Sequence, residues 1–122
     1  MKSILVVDDM PIFREPIAAS LRGAGYNVVT ACNGKEALVK LRAQKADLLL
    51  LDIAMPVMDG IACLAELRSD PATRDTPVIL LTAISEKKHI LAAARFGVQD
   101  YLLKSRFSLQ ELLVRIKKHL TE

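Results

Sequence analysis

Apolar positions fall into five short runs along the chain, and each is followed by a stretch with helical spacing. Residues 3–7 form a run rich in β-branched side chains that stops at Asp8-Asp9, the pattern of a buried strand. Phe13, Ile17 and Leu21 then recur at every fourth position, which is helical; Pro11 suits the start of that helix, and Gly23 and Gly25 its end. Pro16 conflicts with it, because a proline beyond the first turn removes a backbone donor, so a late start or a slight kink is expected. Residues 26–31 read as a second strand. Asn33-Gly34 makes a turn and is placed to cap a helix whose apolar face uses Ala37, Leu38 and Leu41.

Leu48-Leu49-Leu50-Leu51 is apolar without interruption and stops at Asp52, which fits a strand covered on both faces. Residues 55–60 read as a loop, and a helix with Ile61, Leu64 and Leu67 inward ends at Ser69-Asp70-Pro71. Residues 78–81 are the fourth strand, ending at Thr82; Ser85 is the expected cap of a helix from 86 to about 96, closed by Gly97. Residues 98–103 are the fifth strand, ending at Lys104. Ser108-Leu109-Gln110-Glu111 is a capping-box pattern before a last helix with Leu112, Leu113, Ile116 and Leu120 inward and Lys117 and Lys118 outward. Five alternations of strand and helix predict an α/β fold, a doubly wound five-stranded parallel sheet with five helices, in which ligands bind beyond the carboxyl ends of the strands. At 122 residues this is one domain, spanning 1–122.

Composition narrows the class. A chain 52% apolar and 25% charged, with 4% aromatics and no Trp, is a globular domain with an aliphatic core. No run reaches the length of a membrane span, and the N-terminus enters a strand at once without the regions of a signal peptide. Cys32 and Cys63, far apart and without Cys-x-x-Cys spacing, read as two buried reduced thiols of a cytoplasmic protein. The net charge of +3 is uneven: residues 86–122 hold eight Lys/Arg against four Asp/Glu, the rest nine against ten. A basic face there suits an acidic partner, although charge alone reads more simply as a solvated helix face.

The strand ends carry the chemistry. Asp8-Asp9, Asp52, Thr82 and Lys104 terminate the first, third, fourth and fifth strands, and a parallel sheet brings all of them to one edge. Singly, each has an ordinary reading as a cap, a turn residue, a strand-end Thr or a surface Lys; jointly, at matching strand ends, they point to a site. Three close carboxylates either raise one another's pKa or take up a cation. Oxygen donors suit a hard cation, and a cleft that also receives phosphate suits Mg²⁺ better than Ca²⁺. Asp52 is the candidate nucleophile for an aspartyl phosphate, Thr82 a hydrogen-bond donor and Lys104 a point charge for a phosphoryl oxygen.

Four motifs in order, residues 4–9, 52–60, 81–83 and 100–104, make the whole chain resemble the receiver domain of bacterial two-component response regulators, the fold of the chemotaxis regulator. The resemblance implies a flavodoxin-like sheet of strand order 2-1-3-4-5 and Asp52 as phosphoacceptor, with a histidine kinase or histidine phosphotransfer protein as donor. It implies Mg²⁺ held by Asp9, Asp52 and the backbone carbonyl of Ala54, with Asp8 nearby. Thr82 and Lys104 would grip the phosphoryl group, and Tyr101 would be the switch aromatic that turns inward when Thr82 moves. The output face for a downstream protein or effector domain would be the fourth helix, fifth strand and fifth helix. Such a domain is a switch, not an enzyme with a separate substrate.

Two departures from the family pattern stand out. Ser105 replaces the usual cis-bonded proline after the lysine; a cis bond before a non-proline residue costs roughly 2.5–4 kcal/mol, so a trans Lys104–Ser105 bond is expected. Ala54 and Ile84 occupy positions that line the phosphoryl cleft, and neither side chain can orient a hydrolytic water, so a slowly decaying phosphorylated state is expected, with Ile84 as shield. His89 and His119 read as solvated helix residues. A phosphatase of the haloacid dehalogenase type would need a second Asp at position 54, and a receiver acting by binding alone would not need the intact acidic set. No nucleotide-binding glycine motif or DNA-binding motif is found, so neither nucleotide nor direct nucleic-acid binding is expected.

Overall fold

The computed structural model describes residues 1–120; residues 121–122 of the predicted domain lie outside the described residues. Strands β1 (Ser3–Val7), β2 (Asn27–Ala31), β3 (Leu48–Leu51), β4 (Val78–Thr82) and β5 (Asp100–Leu103) alternate with helices α1 (Pro11–Gly23), α2 (Gly34–Ala43), α3 (Gly60–Ser69), α4 (Lys87–Arg95) and α5 (Leu109–Leu120). The strands form one parallel sheet in the order β2-β1-β3-β4-β5. This is the doubly wound α/β architecture expected, and the order reverses between β1 and β3, where two adjacent strands feed helices on opposite faces.

The sheet is insulated on both sides because β3 is apolar at every position and β1 and β4 are polar only at Ser3 and Thr82. Leu49, Leu51, Val78 and Leu80 pack with Leu38, Leu41, Leu64 and Leu67 on one face. Leu48, Leu50, Ile79 and Leu81 pack with Ile17, Leu21, Leu112 and Ile116 on the other. Lys117 and Lys118 are exposed on α5, as the periodicity placed them. Among the described residues, no helix is long and apolar enough to cross a membrane.

Several local expectations hold at the level of single hydrogen bonds. Asn33 caps α2 by accepting from the Glu36 N–H at 2.8 Å, and Ser108 accepts from the Glu111 N–H at 3.0 Å. Gly97 follows α4 with φ +72°, the left-handed conformation that ends a helix at little cost to glycine. The described chain has no cis peptide bond, so Lys104–Ser105 is trans.

Other expectations are corrected. Helix α1 starts at Pro11, not late, and Pro16 sits inside it. Pro16 and Ile12 are both exposed, so the Ile12 carbonyl that proline leaves without a donor is open to water. Glu86, not Ser85, is the N-cap of α4, and like Met10 at the start of α1 it makes no side-chain hydrogen bond, whereas Asn33 and Asp59 cap α2 and α3. β2 begins at Asn27 and β5 at Asp100, because ladder pairing starts only at Ser3↔Asn27 and Ile79↔Asp100. Cys63 is buried but Cys32 is exposed, since it lies one residue past β2 in the turn to α2; both are free thiols.

Gly60 opens α3 directly against the backbone that follows β3. A Cβ added there would collide with the Asp52 carbonyl oxygen and meet the Ile53 Cα at 2.7 Å. Both are backbone atoms, so the strain cannot be relieved by a rotamer change. Gly60→Ala is therefore expected to destabilise the domain by about 2–3 kcal/mol, read as a shift of the urea midpoint. An unchanged midpoint would mean that the β3–α3 connection is looser than this packing implies.

Candidate functional site

All five residues named from the strand ends lie at one edge of the sheet. β1 pairs with β3 so that Val7 is level with Leu51, and the next residues, Asp8 and Asp52, follow side by side. β4 pairs with β5 so that Thr82 is level with Leu103, and Lys104 follows. The register of a parallel sheet thus converts strand endings far apart in sequence into neighbours.

Asp8, Asp52 and Thr82 are buried, at 4%, 4% and 0% exposure. Lys104 reaches across the edge of the sheet, its Nζ 2.7 Å from Asp8 Oδ2 and 3.0 Å from Asp52 Oδ2. The remaining carboxylate oxygens take backbone donors. Asp8 Oδ1 accepts from the Met10 N–H at 3.0 Å, and Asp52 Oδ1 from the Ala54 N–H at 3.3 Å. Asp9 completes a group in which one oxygen each from Asp8, Asp9 and Asp52 lies within 4.8 Å of the others.

One ammonium does not balance three carboxylates. Burial pushes the Asp8 carboxyl above its ordinary value despite its hydrogen bonds from Lys104 and the Met10 N–H, and the Asp52 charge adds to the rise. Burial works against the charged form of Lys104 too, but its bonds to Asp8 and Asp52 outweigh this and hold its pKa above the usual lysine range. A clustered oxygen donor set with excess negative charge fits a hard divalent cation, so the cluster of Asp8, Asp9 and Asp52 can hold a metal.

The loop from β3 to α3 is tied back to the site. The Gly60 N–H donates to the Ile53 carbonyl at 2.8 Å. The Met58 N–H donates to the Pro56 carbonyl at 2.7 Å across Val57, whose φ of +69° is a strained conformation for a β-branched residue. Thr82 Oγ1 accepts from the Ile84 N–H at 3.3 Å, and the half-buried Tyr101 donates its hydroxyl to the Ile84 carbonyl at 2.6 Å. Tyr101 is thus connected to Thr82 through two hydrogen bonds to one residue of the β4–α4 loop.

Beyond Ala54 a cleft of about 540 Å³ opens between the β3–α3 loop and α4, lined by Met55, Asp59, Ile84 and His89 among others. His89 is not the solvated residue expected: it is half-buried, and its Nδ1 is enclosed without a hydrogen-bond partner. His119 is also largely covered, its Nε2 3.5 Å from Asp100 Oδ2 beside the Arg115–Asp100 ion pair at 2.9 Å. Both corrections arise because the sides of α4 and α5 bearing these residues pack against neighbouring elements.

The sequence did not single out two further contributors. Arg14 donates from Nη1 to the Asp8 carbonyl at 2.9 Å, joining α1 to the end of β1. The Phe13 ring centroid lies 4.2 Å from Lys104 Nζ. Phe13 carried one hint, an aromatic in the first turn after an acidic pair, but its helical spacing pointed equally to the core.

The comparisons with known proteins bear on the family and the fold. A family model described as the response regulator receiver domain matches residues 4–117. Over 116 residues the chain is 40% identical to a probable transcriptional regulator, ycf27, of Porphyra purpurea, covering 95% of this chain and 46% of that protein. It is also 40% identical over 116 residues to the phosphate regulon transcriptional regulatory protein PhoB of Pseudomonas aeruginosa, covering 95% and 50%. The chain therefore spans about half the length of these curated relatives. The structure of the Vibrio cholerae chemotaxis protein CheY4 superposes with a TM-score of 0.90 at 31% identity, covering 98% of this chain and 99% of that one.

Because the site carries surplus negative charge, removing one carboxylate should relieve it. Asp8→Asn leaves Lys104 paired with Asp52. It is expected to stabilise the metal-free domain by about 1 kcal/mol, seen as a higher thermal midpoint without added divalent cation. A lower midpoint would mean that the Lys104–Asp8 pair outweighs the repulsion.

Proposed function

Since the chain belongs to the response regulator receiver domain family and so to two-component signalling, we propose that Asp52 is its phosphoacceptor and that residues 1–122 act as one phosphorylation switch. The observation that carries this reading is Lys104 bridging Asp8 and Asp52 at 2.7 and 3.0 Å, next to the buried Thr82 hydroxyl. A carboxylate oxygen of Asp52 attacks the phosphorus of a phosphohistidine donor. The phosphorus–oxygen bond forms as the phosphorus–nitrogen bond breaks, and the leaving imidazole keeps the electron pair. Lys104 and Thr82 then bind phosphoryl oxygens, as point charge and as hydrogen-bond donor.

The cation would be Mg²⁺, which Asp9, Asp52 and the Ala54 carbonyl would hold with Asp8 close by, and it would neutralise charge on the transferring phosphoryl group. The donor is a histidine kinase or a histidine phosphotransfer protein in the cytoplasm. When Thr82 shifts toward the phosphoryl oxygens, its link through Ile84 to the Tyr101 hydroxyl is disturbed, and Tyr101 turns inward. The α4–β5–α5 face, where the positive charge collects, then engages a downstream protein or effector domain. The chemistry is confined to the domain's own aspartate, which makes it a switch and not an enzyme.

Incubation with acetyl phosphate is expected to add a single phosphoryl mass, dependent on Mg²⁺ and absent from Asp52→Asn, by intact-protein mass spectrometry. An adduct that survives Asp52→Asn would sink the assignment. The phosphorylated state is expected to persist, because Ile84 and Ala54 offer no group to orient a water. Ile84→Glu should shorten the lifetime of the adduct by about a hundredfold, the low end of what a positioned general acid or base contributes; an unchanged decay rate would count against Ile84 as shield.

A further inference from the structure

Phe13 stands in the first turn of α1, four positions after Asp9. Its spacing aligns it with Ile17 and Leu21, which are buried at 3% and 1% exposure. Phe13 itself is only half-buried and belongs to neither apolar cluster of the core. Its ring face meets the Lys104 ammonium instead, with 4.2 Å from Nζ to the ring centroid. That distance is within the range of cation–π attraction, and the contact strengthens when it is desolvated. The Lys104 side chain is 6% exposed, so the contact is a dry one.

The Lys104 ammonium therefore contacts Asp8, Asp52 and the ring. Phosphoryl transfer changes the two anionic ones, because a carboxylate oxygen of Asp52 becomes an ester oxygen and the ammonium moves its bond to a phosphoryl oxygen. The ring contact involves no charge that the reaction alters. The first turn of α1 is also anchored to the end of β1, by the Met10 N–H on Asp8 Oδ1 and by Arg14 Nη1 on the Asp8 carbonyl. A flexible four-carbon stem needs such a fixed point to keep its ammonium in one place.

We propose that Phe13 is a positioning residue for phosphoryl transfer, its ring face holding the Lys104 ammonium over Asp52 while the anionic partners of that ammonium exchange. The proposal rests on the reading of Asp52 as phosphoacceptor. It separates a ring that works through its quadrupole from one that merely fills space.

The test replaces Phe13 by mono-, di- and trifluorinated phenylalanine, which weaken the quadrupole at nearly constant size, and adds Phe13→Leu and Phe13→Tyr. The initial rate of Asp52 phosphorylation by acetyl phosphate is measured at saturating Mg²⁺, beside the thermal midpoint of each variant. The rate is expected to fall stepwise with fluorination, to drop roughly two- to thirty-fold in Phe13→Leu, and to recover in Phe13→Tyr. The ring-current shift of the Lys104 ε-methylene protons in NMR should persist through the fluorinated series and vanish in Phe13→Leu. A rate that stays flat along the series, or that follows only the thermal midpoint, overturns the proposal. If Phe13→Leu fails to fold, the fluorinated series alone decides. Native protein that takes up no phosphoryl group would overturn the phosphoacceptor reading and this one together, an outcome distinct from a flat series on a domain that phosphorylates.

Discussion

The Lys104 ammonium, held between the Asp8 and Asp52 carboxylates, is the contact around which the domain is arranged. Two buried carboxylates at adjacent strand ends would repel each other strongly in a low-dielectric setting. The lysine that follows the fifth strand makes their approach tolerable, yet it leaves a surplus of negative charge when Asp9 is included. That surplus of oxygen donors and negative charge suits the cluster to a divalent cation.

The rest of the structure serves to bring those groups together and keep them dry. Parallel pairing of β1 with β3 and of β4 with β5 sets the strand ends level. The leucine-rich centre of the sheet, sealed by helices on both faces, provides a stiff floor beneath them. Gly60 lets α3 begin against the backbone after β3, so the loop that starts at Asp52 turns away without spreading the site. On the fifth-strand side, Tyr101 and Thr82 both bond to Ile84, which joins the site to the β4–α4 loop through a short chain of contacts. This loop leads into a helix whose cap makes no side-chain hydrogen bond, which makes it a suitable element to move.

Local chemistry was legible wherever it depended on neighbours in the chain. The Asn33 and Ser108 caps, the end of α4 at Gly97 and the uninterrupted apolar strands all follow from propensity and spacing within a few residues. The errors arose where long-range packing intervened. Pro16 proved compatible with an early start to α1 because its side of the helix faces water, and Cys32 fell just beyond its strand and out of the core. His89 and His119 seemed solvated because the sequence does not say which side of a helix a neighbouring element will cover.

By itself, the sequence determined the alternation of strands and helices, the doubly wound class and the residues that end each strand, since these depend on periodicity and on short motifs. It thereby named Asp8, Asp9, Asp52, Thr82 and Lys104 together, because a parallel sheet delivers all its carboxyl ends to one edge. Only the tertiary structure decided how those groups share one another: which oxygens Lys104 bonds, that Phe13 turns to the ammonium and not to the core, and that Arg14 and Gly60 shape the approach. These are contacts between elements tens of residues apart, set by register and side-chain direction, and no pattern confined to a single element encodes them.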